Sequence, residues 1–291
     1  MSVQRFTRRF LLPALVLAAL SCSTGAAEDA TDATGAGEAQ AVLPADASGA
    51  AARLASSPRH AEWAMVATGD DSVRSWVVYP ERQDNAPVVL VVHEIFGLTP
   101  WIRAVADQLA ADGFIAIAPD LLTRFNVPGS PEEPDAEFAR TVIRELDPDV
   151  VQQQLLAIAE WGMALPAASR SYGIVGFCWG GSTSFNHAIS SPGLGASVVY
   201  YGSSPETSRL TTVQAPVLGL YGGDDQRVNS TIAAADSALS AMGRTFEKEI
   251  YEGAGHGFLR QQGGRDDANM AATRAAWPRT ISWFRQHLEN R

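Results

Sequence analysis

The segment "IVGFCWGGS", residues 174–182, decides the fold. It starts as an apolar strand, turns at Cys178 and enters the helix-forming run that continues as "STSFNHAI". A strand that turns this sharply strains the backbone at its apex and brings the helix close against the strand. Both demands call for glycine, and Gly176 and Gly180 flank the turn. Such an apex lifts one side chain out of the sheet, where a nucleophile is useful. The bland alternative is a buried cysteine beside a glycine-rich turn, since unpaired thiols usually behave as small core residues. Other segments must decide between the two.

Working outward, "PVVLVVHE" (87–94) is an unbroken apolar run rich in valine, as expected of a strand buried on both faces of a parallel sheet. "PWIRAVADQLAADG" (100–113) then has apolar residues at helical spacing and stops at Gly113. The alternation continues through "FIAIAPD", a helical region from about Glu132 to Leu165, "YGIVGF", the helix after Cys178, "ASVVYYG", "PVLGLYGG", a helix near Asn229, "TFEKEIYE" and a final amphipathic stretch, "AATRAAWPRTISWFRQHL". Short apolar strands alternating with helices predict an α/β fold, a mostly parallel sheet with helices on both faces. "EWAMVAT" and "VRSWVVYP" read as an antiparallel pair at its edge. No internal repeat is visible.

Composition bounds the function. The chain of 291 residues is 46% hydrophobic and 19% charged, enough to build one substantial core. Its formal net charge is −10, and residues 1–21 carry only the positive charges of Arg5, Arg8 and Arg9, so the remainder is more acidic still. Such a surface repels phosphate backbones, which excludes nucleic acid as an expected partner.

"RFTRRFLLPALVLAALSC" (5–22) is basic and then apolar over a run too short to span a bilayer comfortably, as in an export signal. "TRRFLL" resembles the twin-arginine pattern and "ALSC" the bacterial lipoprotein box, apart from Ala19 where leucine is preferred. The expectation is export over residues 1–22 to the periplasm or cell surface, with membrane attachment through a lipidated Cys22, or else cleavage a few residues later near "TGAAED". Residues 23–57, dominated by Ala, Gly, Thr, Ser, Asp and Glu, read as a flexible tether, and residues 58–291 as the folded domain. With one internal cysteine this is not a disulfide scaffold.

A thiol needs a base, because the thiolate is the reactive form. Of the five histidines, His256 lies in "EGAGHGFL", a glycine-rich loop after a strand, where an imidazole can project over the carboxyl edge of the sheet. A carboxylate to orient it comes from "LGLYGGDDQRV", which offers Asp224 and Asp225 after a strand end. The chain order is then nucleophile, acid, histidine. No His-Glu-x-x-His or similar spacing points to a metal, and the chemistry requires no cofactor.

From about residue 60 onward the sequence resembles the dienelactone hydrolase family, the carboxymethylenebutenolidase-like branch of the α/β-hydrolase fold, through "VVHEIFGL", "APDL", "GFCWGG", "YGGDDQRV" and "GAGHGFLR". The resemblance implies Cys178 as nucleophile, His256 as base and Asp225 as its orienting acid. It also places Glu94 beside the resting thiol, as the group that takes the thiol proton when substrate displaces it. Arg260 matches an arginine that binds the substrate carboxylate, and a second such arginine falls on Arg140 or Arg144. The fold's oxyanion hole maps to the amides of Ile95 and Trp179. The implied reaction is hydrolysis of a small-molecule lactone or ester through a thioester acyl-enzyme. Redox sensing is a poorer fit, because no resolving cysteine is near. An inactive, surface-tethered binding protein on the same fold is the other alternative.

Overall fold

The computed structural model describes residues 42–289. Its main sheet has eight strands: β1 (Ala61–Thr68), β2 (Asp71–Val78), β3 (Ala86–Val92), β4 (Ile115–Pro119), β7 (Ala168–Phe177), β8 (Ala196–Tyr200), β9 (Val217–Gly222) and β10 (Phe246–Tyr251). Two-residue strands β5 (Gly129–Ser130) and β6 (Glu133–Pro134) pair separately as a small hairpin. The order in the main sheet is β1-β2-β4-β3-β7-β8-β9-β10. From β4 to β10 every neighbouring pair is parallel, while β1 and β2 form the antiparallel edge. This is the mostly parallel α/β sheet expected from the alternation of strands and helices.

The pleat of β3 explains why its sequence is apolar throughout. Val89 and Val91 point into one core, with Trp101, Ile102 and Val105 of α2 (Pro100–Ala111) and Trp277 and Phe284 of α8 (Ala268–Phe284). Val88, Leu90 and Val92 point into the other, with Leu155 and Ile158 of α4 (Pro148–Met163), Phe185 of α5 (Trp179–Ser190) and Leu239 of α7 (Ile232–Ala241). Helices begin where the sequence caps them. Asp135 accepts from the amides of Glu137 and Phe138 at the start of α3 (Ala136–Val142), and Asp147 does the same for α4, with Pro148 in its first turn. Leu122, Ala139, Val142 and Ile143 form a smaller core over the strand ends, and Ile95 and Trp179 pack against it.

A tether was expected over residues 23–57; of these, residues 23–41 lie outside the described residues, as do the export segment and Cys22. From Val42 the chain is packed. Helix α1 (Ala50–Ala55) lies on α2, with Ala50 1% exposed. Trp101 donates from Nε1 to the Ala45 carbonyl, Gln262 donates to that of Pro44, and the Ala47 amide donates to the Arg260 carbonyl. What holds the arm is sparse: Ala50 enters the core, Leu43 and Leu54 pack against it, and Arg53 donates to Asp107 and Gln108 of α2, while Ala51, Ala52 and Ala55 stay exposed.

Candidate active site

Parallel strands deliver the candidate residues to one edge. β3 ends at Val92 ahead of His93 and Glu94, β7 at Phe177 ahead of Cys178, β8 at Tyr200 ahead of Tyr201, β9 at Gly222 ahead of Asp225, and β10 at Tyr251 ahead of His256. The carboxyl edge of an open parallel sheet is where such folds place their ligands.

Cys178 has φ 57° and ψ −114°, a strained conformation for a residue with a side chain. It can exist because its surroundings tolerate no bulk. A Cβ on Gly176 would lie 1.8 Å from the Gly180 carbonyl oxygen, and one on Gly180 would lie 2.4 Å from the carbonyl oxygens of both Val92 and His93. The apex is pinned further by the Cys178 amide, which donates to the Tyr200 carbonyl at 3.1 Å.

Burial pushes the Cys178 thiol up to about 11, and the negative charges of Glu94 and Asp225 push the same way. The Trp179 amide, a donor at the start of α5, and the Arg227 guanidinium pull it down without reversing the balance. Burial also lifts the Glu94 carboxyl to about 7, against the attraction of Arg260. Arg260 Nε lies 3.3 Å from Glu94 Oε2, yet neither atom has a hydrogen-bond partner, so the pair is held by charge rather than by an aligned bond.

His256 Nδ1 lies 2.5 Å from Asp225 Oδ2, and the Asp225 side chain is 6% exposed. Asp224, the other half of the aspartate pair, is half-exposed and bonds to Arg265 at 2.7 Å. Arg260 and Arg140 each place a guanidinium 4.8 Å from the Phe96 ring centroid, and Arg140 also pairs with Glu137 at 2.6 Å. Arg144 makes no such contact with Phe96.

Three residues at this edge were given no role by the sequence, although His93 and Phe96 lie in the "VVHEIFGL" motif. Tyr201 has φ 40°, is fully buried, leaves its hydroxyl without a partner and sets its ring 5.1 Å from that of His256. Burial raises its phenol well above the ordinary range, with the negative charge of Glu94 adding to the effect. Phe96 is the ring that both arginines share. His93, fully buried, donates from Nδ1 to the Glu94 carbonyl, 2.7 Å away, and stacks on Trp179.

Comparison with known proteins gives concordant results. The pattern of the dienelactone hydrolase family matches residues 73–288. A Salmonella typhimurium protein named "Putative carboxymethylenebutenolidase" is 34% identical over 235 residues, covering 75% of this chain and 84% of its own. A Bradyrhizobium protein named "Probable 2-oxo-3-(5-oxofuran-2-ylidene)propanoate lactonase" is 29% identical over 245 residues, 78% of this chain and 94% of its own. Among solved structures, one titled as a "Putative Dienelactone Hydrolase" from Klebsiella pneumoniae superposes with a TM-score of 0.69 at 29% identity, covering 78% of this chain and 99% of the other.

Proposed function

The chain belongs to the dienelactone hydrolase family, and from that premise we propose that it hydrolyses a lactone or carboxylic ester through a Cys178-Asp225-His256 triad. The observation that carries this reading is the 2.5 Å contact of His256 Nδ1 with the buried Asp225, at the same sheet edge as the strained Cys178. Asp225 fixes the ring and leaves Nε2 as the nitrogen that exchanges protons with the reacting groups.

In the first half-reaction the Cys178 thiolate attacks the carbonyl carbon and the charge moves to its oxygen, which the Trp179 and Ile95 amides receive. The carbon–oxygen bond then breaks, the departing alkoxide takes the proton that Glu94 received from the thiol, relayed through His256 Nε2, and a thioester remains on Cys178. Water, deprotonated by the neutral His256, attacks the thioester. The acid leaves and the sulfur regains its proton from His256.

Activation of the thiol follows from the charges around it. At neutral pH the thiol is protonated, being held up to about 11. Arg260 draws the Glu94 carboxyl down from where burial alone would set it. A substrate carboxylate that pairs with Arg260 weakens that pull, makes Glu94 more basic and favours transfer of the thiol proton to it. Thiolate thus forms chiefly in the occupied enzyme, which protects an idle cysteine from oxidation. Arg140, beside Phe96 with Arg260, is the second arginine for the same carboxylate. The name of the Bradyrhizobium relative refers to a lactone that carries a carboxylate, in keeping with this charge arrangement.

Export through residues 1–22, with attachment through Cys22, completes the proposal. Its test is hydrolysis of a carboxylate-bearing ylidene lactone and of a neutral p-nitrophenyl ester series by wild type and Cys178→Ala. The expected result is activity confined to wild type and biased toward the anionic lactone. Equal activity in both proteins would remove Cys178 from the mechanism, and inactivity of both would favour the binding-protein alternative.

A further inference from the structure

The two amides read as the oxyanion hole come from segments far apart in sequence, Ile95 after β3 and Trp179 at the start of α5. His93 touches both segments. Its Nδ1 donates to the Glu94 carbonyl at 2.7 Å, and its ring stacks on that of Trp179, with centroids 5.6 Å apart and planes inclined by 19°. The backbones meet there as well, since a Cβ on Gly180 would lie 2.4 Å from the His93 carbonyl oxygen.

The Glu94 carbonyl and the Ile95 amide belong to one planar peptide unit. A donor on that carbonyl draws electron density from the shared nitrogen, which strengthens the N–H as a donor and fixes the plane in which it points. The His93 ring is fully buried, and burial holds it below the ordinary imidazole range, so it is neutral at about pH 7. A carbonyl only accepts, so the single ring proton sits on Nδ1. Nε2 is then a bare acceptor, and no hydrogen-bond partner reaches it. Asp120, whose charge also acts on the ring, is engaged elsewhere, with Arg74 at 2.8 Å and the Leu122 amide at 3.2 Å.

We propose that His93 is a positioning residue of the oxyanion hole: it polarises and orients the peptide that presents the Ile95 amide, and it seats Trp179 beside that peptide. The inference rests on the assignment of the hole to Ile95 and Trp179. In this role His93 exchanges no proton with the substrate. It acts on the charge that develops on the carbonyl oxygen, so its effect falls on the chemical step and not on substrate binding.

The test combines steady-state kinetics with infrared difference spectroscopy of the acetyl-enzyme, formed from p-nitrophenyl acetate isotope-labelled at the carbonyl carbon and held by the His256→Ala background. With His93 in place, the thioester carbonyl stretch is expected below that of a free acetyl thioester in water. His93→Phe keeps a stacking ring but has no donor. It is expected to move the stretch back toward the free value and, with His256 intact, to lower kcat about tenfold with KM within about twofold, less than the loss of a whole oxyanion donor. His93→Leu, equally without a donor, is expected to behave the same way. His93→Asn offers a side-chain N–H where Nδ1 stood and is expected to recover most of both readouts. Wild-type kcat and an unshifted stretch in His93→Phe and His93→Leu overturn the proposal, and so does an equal loss in His93→Asn, which would reduce the ring to packing. A stretch that is not lowered even with His93 in place overturns the oxyanion assignment itself, and the proposal with it.

Discussion

The resting chemistry of Cys178 gives the sharpest perturbation. With its thiol at about 11, roughly 3 in 10,000 molecules carry a thiolate at about pH 7.5, against about 1 in 11 for a free cysteine of pKa ~8.5. Alkylation by iodoacetamide follows the thiolate, so Cys178 in the empty enzyme should react about 300-fold more slowly than a free thiol. Glu94→Gln removes one of the charges that hold the proton on sulfur and should accelerate the reaction. A non-hydrolysable carboxylate analogue of the substrate, paired with Arg260, should do so in the wild type. The assay is the rate of mass gain on the peptide containing Cys178, which keeps it separate from Cys22, measured across pH 6 to 10. A rate near that of free cysteine, titrating near pH 8.5 and indifferent to the analogue, would refute the account of a proton held by burial and Glu94.

Other outcomes follow from the same geometry. Asp225→Asn should lower kcat by about a hundredfold or more through loss of the orienting carboxylate, whereas Asp224→Asn, which breaks an exposed pair, should change kcat less than about twofold; steady-state kinetics on one activated ester decides. Gly180→Ala forces a Cβ to within 2.4 Å of two backbone carbonyls and should cost about 3 kcal/mol or more, while Gly193→Ala, with open space around it, should be near neutral by denaturant melts. Glu94 has its carboxyl raised in the fold from 4.5 to about 7, so the folded state binds the extra proton. Its contribution to stability is therefore intact below 4.5 and lost as pH rises through about 7. Glu94→Gln should remove that slope from urea midpoints measured across the window.

The elbow was legible in the sequence because its constraint is steric and local. Strand, cysteine and glycines lie within nine residues, and the contacts at Gly176 and Gly180 leave no alternative to glycine. The alternation of apolar strands and helices was legible for a similar reason, since each core-facing set repeats at the period of its element. The choice between Asp224 and Asp225 could not be made from the residues alone. Burial separates them, and burial depends on where β9 and the His256 loop meet. Tyr201 was invisible because an aromatic residue after a strand is ordinary, and Phe96, though inside "VVHEIFGL", gains its place between Arg140 and Arg260 only when segments distant in sequence meet. The arm from Val42 was misread because a few residues hold it, Leu43, Ala50 and Leu54 on the core and Arg53 on α2, and their partners are distant in sequence.

The most direct test of the central claim is mass spectrometry of rapidly quenched protein during turnover of p-nitrophenyl acetate, with His256→Ala alongside the wild type to slow water attack. The account predicts an acetyl mass on the peptide containing Cys178, released with time in the wild type and accumulating in His256→Ala, and no adduct in Cys178→Ala. Turnover in the wild type with no adduct on Cys178, or with the adduct on another residue, would contradict it.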